Sequence, residues 1–204
     1  MIRRPNNWNE VQEFSDRPKL PLGAYVCKIR KAVVQHSAYG EQLCLLFDIA
    51  DGEYKGFFDE DFKAKTRADK KWKGVLRQFI PRDDGSEKDE WTKSAFKGLI
   101  TSIEKSNMGY QWNWDEASLA GKYVGILFRN EEWEWEDKTG WAVRPFKAIS
   151  IDSVKSGDFR LPKDKPLKNK SVASSFNYDT SAYDYAPQST GFAEIDDSDG
   201  DLPF

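Results

Sequence analysis

Runs of β-branched, aromatic and other apolar residues near the start of the chain predict β-strands. The turn signal Pro-Leu-Gly at 21–23 precedes a first strand over residues 23–35, and a second, more buried strand covers residues 41–50. Asp-Gly at 51–52 favours a tight turn, after which residues 54–62 are predicted to form a third strand. Three consecutive strands are therefore expected in this part of the chain.

The spacing of apolar residues then changes from the period of a strand to that of a helix. In residues 69–79, and again in residues 92–106, apolar side chains fall at offsets 0, 3, 4 and 7. This pattern predicts two amphipathic helices, each with one buried face. Trp72 lies on the apolar stripe of the first, so a place in the core is favoured over contact with a ligand. The charged stretch 82–89 joins the two.

Strand patterns return after the second predicted helix. Residues 122–129 are mostly apolar, residues 133–136 alternate Trp and Glu, and a turn at 137–140 leads into a last strand that ends near residue 151. This order predicts a mainly β fold, a five-stranded OB-fold barrel with a helical insertion between strands 3 and 4. Small sandwiches and SH3-like barrels share parts of the same order. The predicted domain spans residues 1–160.

Charge is distributed unevenly along the chain. Residues 171–204 contain seven acids and no Lys or Arg, so all 31 basic residues and 27 of the 34 acids lie in residues 1–170. The first part carries a formal charge of +4 and the last part −7, the arrangement of a basic body with an acidic interaction arm. The tail, 171–204, is polar and lacks periodicity, so it is expected to be disordered. The Lys- and Pro-rich stretch 161–170 is interpreted as a linker.

The last nine residues join an acidic run to an apolar end at the terminal carboxylate. Such a tip can place a ring in an apolar pocket while its carboxylate pairs with a neighbouring cation, and its proline limits the entropy lost on docking. The predicted partner-binding residues are Asp196, Asp197, Asp199, Asp201, Leu202, Pro203 and Phe204.

This ending resembles the acidic tip of phage and bacterial single-stranded-DNA-binding proteins, which close on aspartates followed by Ile-Pro-Phe or Leu-Pro-Phe. Here Gly200 interrupts the aspartates, and Leu202 stands where isoleucine is commoner. The segments 20–25 and 51–56 also resemble small phage proteins of this kind. The resemblance implies an OB-fold body that sequesters single strands in DNA replication, recombination and repair. It also implies a tail that recruits partner enzymes and competes with DNA for the basic groove, and it leaves self-association open.

The body contains the residue types that binding of single strands needs, cations for phosphates and aromatic rings for bases. The candidate DNA-binding residues are Lys28, Arg30, Lys31, Tyr39, Lys55, Phe57, Phe62, Lys63, Lys65, Arg67, Lys70, Lys71, Arg129, Trp133, Trp135, Trp141, Arg144 and Lys147. For the lysines of residues 63–73, the alternative interpretation is a solvated surface that does not contact DNA. Alternation places only one of Phe57 and Phe58 outside the core. Trp133 and Trp135 share one strand face. Their side chains either pack on the core or stack on bases, and the sequence leaves both roles open. The glutamates that alternate with them are expected to face away from DNA.

No catalytic or metal-binding motif is found in the sequence, so no enzyme activity, cofactor or metal is expected. Cys27, Cys44 and the single His36 cannot supply the four ligands of a typical metal site, and the cysteines are expected to be buried free thiols. The acidic triplet 59–61 lies in a predicted strand, where successive side chains point to opposite faces and do not converge on one ion.

The start of the chain shows no apolar segment of a secretory signal, and no apolar run approaches the roughly 20 residues of a membrane span. A cytoplasmic location is expected, in the host cell if the chain is phage-encoded. Two other functions stay open at the level of sequence. One is a protein-interaction adaptor that binds no nucleic acid, and the other is a carbohydrate-binding module whose Trp and Tyr side chains stack on sugars.

Overall fold

One five-stranded antiparallel sheet with few helices forms the framework of the protein. The computed structural model describes residues 2–6, 8–10, 19–66, 68–135 and 138–167. The strands are β1 (Ala24–Ser37), β2 (Gly40–Ile49), β3 (Val75–Phe79), β4 (Tyr123–Trp135) and β5 (Lys138–Ile149). The helices are α1 (Phe57–Lys63), α2 (Glu87–Ser106) and α3 (Ile151–Ser156), with a 3₁₀ turn at Glu116–Leu119. The mainly β character predicted from the sequence is confirmed.

The strands follow the order β3–β2–β1–β4–β5 across the sheet, and every neighbouring pair is antiparallel. The edge strands β3 and β5 approach each other within 8 Å between Cα atoms. No hydrogen-bonded pairing joins these two strands in the described part of the chain, so the sheet is not closed. Helix α2 connects β3 to β4, which confirms a helical insertion between the third and fourth strands.

The pairing register gives the sheet an inner and an outer face. A bulge in β1 at Arg30 leaves both Arg30 and Lys31 exposed and shifts the alternation of the strand by one residue. Beyond the bulge, Ala32 lies opposite Leu45 and is buried with it. Lys31, one residue earlier, points to the other side. We call the buried side the inner face and the side of Lys31 the outer face.

Aromatic rings from two strands and one helix meet in the core. Phe47 of β2 and Phe128 of β4 are fully buried, and their ring centroids lie 6.2 Å apart. Phe58 of α1 packs against these rings at 5.5 and 6.3 Å. The inner faces of β2 and β4 therefore contribute to one core with α1, and α2 adds Phe96 and Leu99 among other residues. The helix predicted over 92–106 is confirmed within α2.

The helix predicted over 69–79 is wrong, because residues Val75–Phe79 form the short strand β3. Leu76 pairs with Leu45 on the inner face, whereas Val75 and Phe79 lie on the outer face. The backbone hydrogen-bonding groups on the free edge of β2 provide partners for this segment, and an interaction with a distant strand overrides the local helical spacing.

The third strand predicted over 54–62 is also wrong, because residues Phe57–Lys63 form α1. Gly52 and Gly56 have φ angles of 83° and 79°, which turn the chain away from the sheet after β2. In the helix, Phe58 enters the core and Phe57 packs against its margin, so strand alternation does not separate them. The acidic triplet 59–61 likewise lies on a helix and not on a strand.

The carboxylate of Asp48 in β2 stabilises the start of α1. Its Oδ1 accepts the N–H of Phe58 at 3.0 Å, and its Oδ2 accepts the N–H of Asp59 at 3.3 Å. These are first-turn amides that have no partner within the helix. The guanidinium of Arg30 lies 3.4 Å from the same carboxylate and 3.1 Å from that of Asp59. Asp48 therefore joins β1, β2 and α1.

Replacing Asp48 by alanine is expected to lower the free energy of unfolding by about 2–3 kcal/mol, because buried backbone N–H groups then lose their acceptor. Asp48→Asn keeps one acceptor oxygen and serves as the matched control with a smaller loss. Urea unfolding of the three proteins measures the difference. Equal losses for the two variants would contradict the capping role.

The same carboxylate makes stability depend on pH. Burial raises the pKa of Asp48, although its backbone hydrogen bonds and Arg30 oppose the shift. Because the folded protein then holds this proton more tightly than the unfolded chain does, the contribution favours folding at low pH and is lost as the pH rises through the folded-state pKa. The loss of stability caused by Asp48→Asn is thus expected to shrink as the pH rises from about 4, the pKa of an unfolded aspartate, through the folded-state pKa. A constant difference across that range would count against this assignment.

The last two strands form the hairpin that the sequence predicts, with one change. Thr139 and Gly140, placed in the predicted turn, belong to β5 and lie opposite Glu134 and Trp133. Residues 136–137, which connect the strands, lie outside the described residues. The segments predicted over 122–129 and 133–136 belong to one continuous strand, β4, which runs to Trp135. The two strands of the hairpin therefore form a long ribbon.

The first part of the predicted linker lies against this ribbon. The N–H of Lys165 donates to the carbonyl of Asn130, and the N–H of Glu132 donates to the carbonyl of Lys165, both at 2.9 Å. The N–H of Leu167 donates to the Glu132 carboxylate at 3.1 Å. The predicted linker residues 168–170, the acidic tail and its tip lie outside the described residues.

Candidate nucleic-acid interface

The outer face of β1, β2 and β3 presents a surface of cations and half-buried apolar side chains, which we call the platform. The pairing register aligns its side chains in three rows, each with one residue from β1, one from β2 and one from β3. The platform residues are Lys31, Val33, Gln35, Gln42, Cys44, Leu46, Val75, Arg77 and Phe79. Lys31 and Arg77 are exposed, and none of the nine is acidic. The platform is therefore positively charged and partly apolar.

Cys44 lies at the centre of the platform beneath longer side chains. Its thiol donates to Oε1 of Gln35 at 3.1 Å, and Arg77 is its cross-strand neighbour. Burial raises the pKa of Cys44, and the nearby Arg77 guanidinium only partly offsets this. The thiol is therefore neutral near pH 7 and contributes packing to the platform. Cys27 is also buried, and both cysteines are free, as predicted.

An aromatic cluster adjoins the platform next to Lys31. The Trp72 indole N–H donates to the carbonyls of Phe47 and Gly74, both at 3.1 Å, which fixes the ring beside the β2–β3 pair. The Arg30 guanidinium lies 4.7 Å from the centroid of Trp72, and the Phe62 ring lies 5.7 Å away on centroids. The Lys70 ammonium lies 4.6 Å from Phe62. Rings and cations thus alternate along this edge.

The lysine-rich segment beyond this cluster lines an open depression. The lining residues are Ala64, Lys65, Thr66, Asp69, Lys70, Lys71 and Lys73. Lys63 and Lys65 form ion pairs with Asp59 and Asp61, one helical turn before them. Their charges are partly compensated, whereas Lys70 and Lys71 are exposed. Arg67 lies outside the described residues.

Tyr39 lies at the opposite end of the platform, in the β1–β2 turn. Its side chain is 54% exposed, so the ring is accessible. Arg82 donates from its guanidinium to the carbonyl of Tyr39 and from its N–H to Asp89, which ties this turn to the start of α2. Gly40 has a φ of 131°, and a Cβ there would lie 2.9 Å from the Arg82 guanidinium. The turn geometry therefore requires glycine.

A second set of the predicted residues lies on the outer face of the β4–β5 hairpin, which we call the ribbon face. It consists of Arg129, Glu131, Trp133 and Trp135 of β4 and Lys138, Arg144, Phe146 and Lys147 of β5. Trp135 is 70% exposed, and Trp133 is half-buried over Gly140. As the sequence predicts, Glu132 and Glu134 point to the opposite side of the ribbon.

The remaining candidate residues do not join either surface. Trp141 lies opposite Glu132, so it points to the side of the hairpin that carries Glu132 and Glu134 and not to the ribbon face. Lys28 lies over the Tyr123 ring at 5.4 Å, and Lys55 is exposed in the turn before α1. Phe57 packs against the core.

The sequence prediction missed Arg77 and Phe79, and it placed Trp72 on a helix. These two omissions and the misplacement of Trp72 follow from the incorrect helix over 69–79. Gly74 and Pro81 bracket the strand and were the available signal, since both residues commonly limit short β-strands.

Neither a scan of known family models nor a search of curated proteins finds a match to this chain. Within the described ranges, no group of three or more His, Cys, Asp or Glu side chains is arranged to hold a metal ion. None of the described helices combines the length and the apolar character that crossing a membrane requires.

Proposed function

We propose that the protein binds single-stranded DNA without sequence preference and without catalysis, and that the platform is its main contact surface. The observation that carries this proposal is a sheet face with exposed Lys31 and Arg77, half-buried apolar side chains and no acid among its nine residues. Phosphates need cations and unpaired bases need flat apolar surfaces, and this face offers both.

The strand order supports an OB-type architecture for this role. The order β3–β2–β1–β4–β5 is that of a five-stranded OB barrel opened between its third and fifth strands, and those strands are close in space. OB folds are partly open barrels that bind oligonucleotides on the face of strands 2 and 3 and beside the loops 1–2 and 4–5. The platform, Tyr39 and the β4–β5 hairpin occupy the corresponding positions.

The proposed mechanism is sequestration. Lys31, Arg77 and the lysines beyond Trp72 neutralise phosphates, which makes affinity fall as salt rises. Bases stack on exposed or half-exposed rings, and each stacked base contributes about 1–3 kcal/mol. Phe79, Phe62 and Tyr39 are the rings positioned for this role. A duplex hides its base faces, so stacking discriminates against it.

Titration with oligo-dT tests this function through intrinsic tryptophan fluorescence. Quenching is expected at low salt, because Trp72 lies beside the platform and Trp135 on the ribbon. Affinity is expected to decrease steeply with salt, and a duplex of equal length is expected to bind much more weakly. No quenching, together with no gel shift at low salt, would favour the adaptor function instead.

The acidic tail is proposed to recruit replication or recombination enzymes through its tip and to compete with DNA for cations. Its formal charge of −7 motivates the expectation that deleting residues 171–204 tightens oligo-dT binding at low salt and abolishes partner recruitment. Phe204→Ala is the matched control, since it keeps every charge and is expected to weaken only partner binding. Unchanged DNA affinity after the deletion would show that the tail does not compete.

A further inference from the structure

The charge of Arg30 is balanced by acidic side chains of the protein itself. The bulge in β1 makes Arg30 an extra residue relative to β2, and its guanidinium reaches α1. The guanidinium lies 3.4 Å from the carboxylate of Asp48 and 3.1 Å from that of Asp59, with which Lys63 also pairs. Two cations and two carboxylates thus form one neutral group, which leaves little net charge for a phosphate.

The same guanidinium covers one ring of an aromatic pair. It lies 4.7 Å from the centroid of Trp72, whose indole N–H donates to the carbonyls of Phe47 and Gly74. The Trp72 ring in turn contacts that of Phe62, with the centroids 5.7 Å apart and the planes at 53°. Arg30, Trp72 and Phe62 therefore form one continuous row of contacts, which the two carboxylates fix at the Arg30 end.

Phe62, at the other end of this row, is half-buried and carries a mobile cover. The ammonium of Lys70, an exposed side chain, lies over its ring at 4.6 Å from the centroid. A cation–π contact at an exposed site is weaker than the stacking of a base on an aromatic ring. A base can therefore replace the ammonium over Phe62, and the released charge of Lys70 becomes available to a phosphate.

We infer that Arg30 is a positioning residue, which acts through Trp72 to hold Phe62 in place for one stacked base and does not itself bind phosphate. The inference rests on the proposed function, because it assigns a role within the same DNA-binding surface. Without the guanidinium, the two rings gain freedom that a base must restrict again on binding, which weakens stacking. Lys31, the next residue of β1, has the opposite role, since it is exposed on the acid-free platform.

The salt dependence of oligo-dT binding to the full chain separates the two roles. The slope of log K against log salt reports phosphate contacts, whereas the affinity extrapolated to about 1 M salt reports the contacts that counterion release does not drive. Arg30→Met is expected to lower the extrapolated affinity roughly five- to tenfold and to keep the slope. Lys31→Met, the matched neighbour, is expected to reduce the slope in magnitude by about 0.7 and to keep the extrapolated affinity.

Arg30→Lys provides a variant that retains the ion pairs and thereby protects the fold. Lysine keeps the positive charge beside Asp48 and Asp59 but lacks the planar group that stacks on Trp72. The loss at high salt is therefore expected to match that of Arg30→Met. Combining Arg30→Lys with Phe62→Leu is expected to weaken binding little beyond Phe62→Leu alone, because both changes act on one stacked base. Circular dichroism melting confirms that each variant is folded.

Three results would overturn the inference while leaving the proposed function intact. They are a slope reduced by about 0.7 in Arg30→Met, wild-type affinity in Arg30→Lys, and independent losses from Arg30→Lys and Phe62→Leu in the combined protein. A wild-type chain that binds no oligo-dT at low salt would overturn the proposed function, and the inference with it.

Discussion

Replacing both Lys31 and Arg77 by glutamate is expected to weaken oligo-dT binding at the platform about a hundredfold or more at low salt. The two side chains are the exposed cations among the nine platform residues. Their reversal removes two phosphate contacts and places two negative charges on the DNA path. For single strands the slope of log K against log salt is about −0.7 per phosphate neutralised, so the slope is expected to fall in magnitude by about 1.4.

The measurement is made in the Trp135→Ala, Arg144→Ala background, so that binding at the ribbon face does not mask the loss. Fluorescence anisotropy of labelled oligo-dT at several salt concentrations gives both the affinity and the slope. Lys97→Glu in the same background changes one charge on α2 and is expected to leave both values nearly unchanged. An affinity within about twofold of the parent protein would show that the platform does not contact phosphates.

Phe128→Ala is expected to lower the free energy of unfolding by about 3–5 kcal/mol, the usual cost of removing a buried aromatic ring. Phe128 is completely buried, and its ring contacts those of Tyr25, Phe47 and Phe58 at centroid distances of 5.5, 6.2 and 6.3 Å. The substitution removes the ring that connects β4 to both β2 and α1.

The matched control is Phe146→Ala in the same hairpin. Phe146 is 39% exposed and contacts the Arg129 guanidinium, so a loss of about 1 kcal/mol or less is expected. Urea unfolding followed by far-UV circular dichroism compares the two proteins with the wild type. Similar losses for both variants would contradict the central position of Phe128 in the core.

Local patterns in the sequence were sufficient wherever neighbouring residues decide the structure. The 3.6-residue period over 92–106 identified the interior of α2, and the alternation of Trp and Glu placed Trp133 and Trp135 on one side of the hairpin. The same alternation separated them from the glutamates. Arg129 follows the same alternation in β4, whereas Arg144 and Lys147 join this face only through the pairing of β5 with β4 and the bulge between them.

Local patterns failed between residues 54 and 79, where partners distant in the chain decide the structure. The Asp48 carboxylate caps α1 from the end of β2, and the free edge of β2 pairs with Val75–Phe79. Neither contact leaves a periodic signal in the segment that it shapes. The platform shows the same limit, because Lys31 and Arg77 meet on one face only through β2.

The sequence alone determined the β-rich character, the interior of α2, the hairpin and the separation of charge between body and tail. Tertiary structure decided the third strand, the platform and the division of the candidate residues between the platform and the ribbon face. The physical reason is that periodicity reports which face of an element avoids water, whereas strand pairing and helix capping depend on hydrogen-bonding groups supplied from elsewhere in the fold.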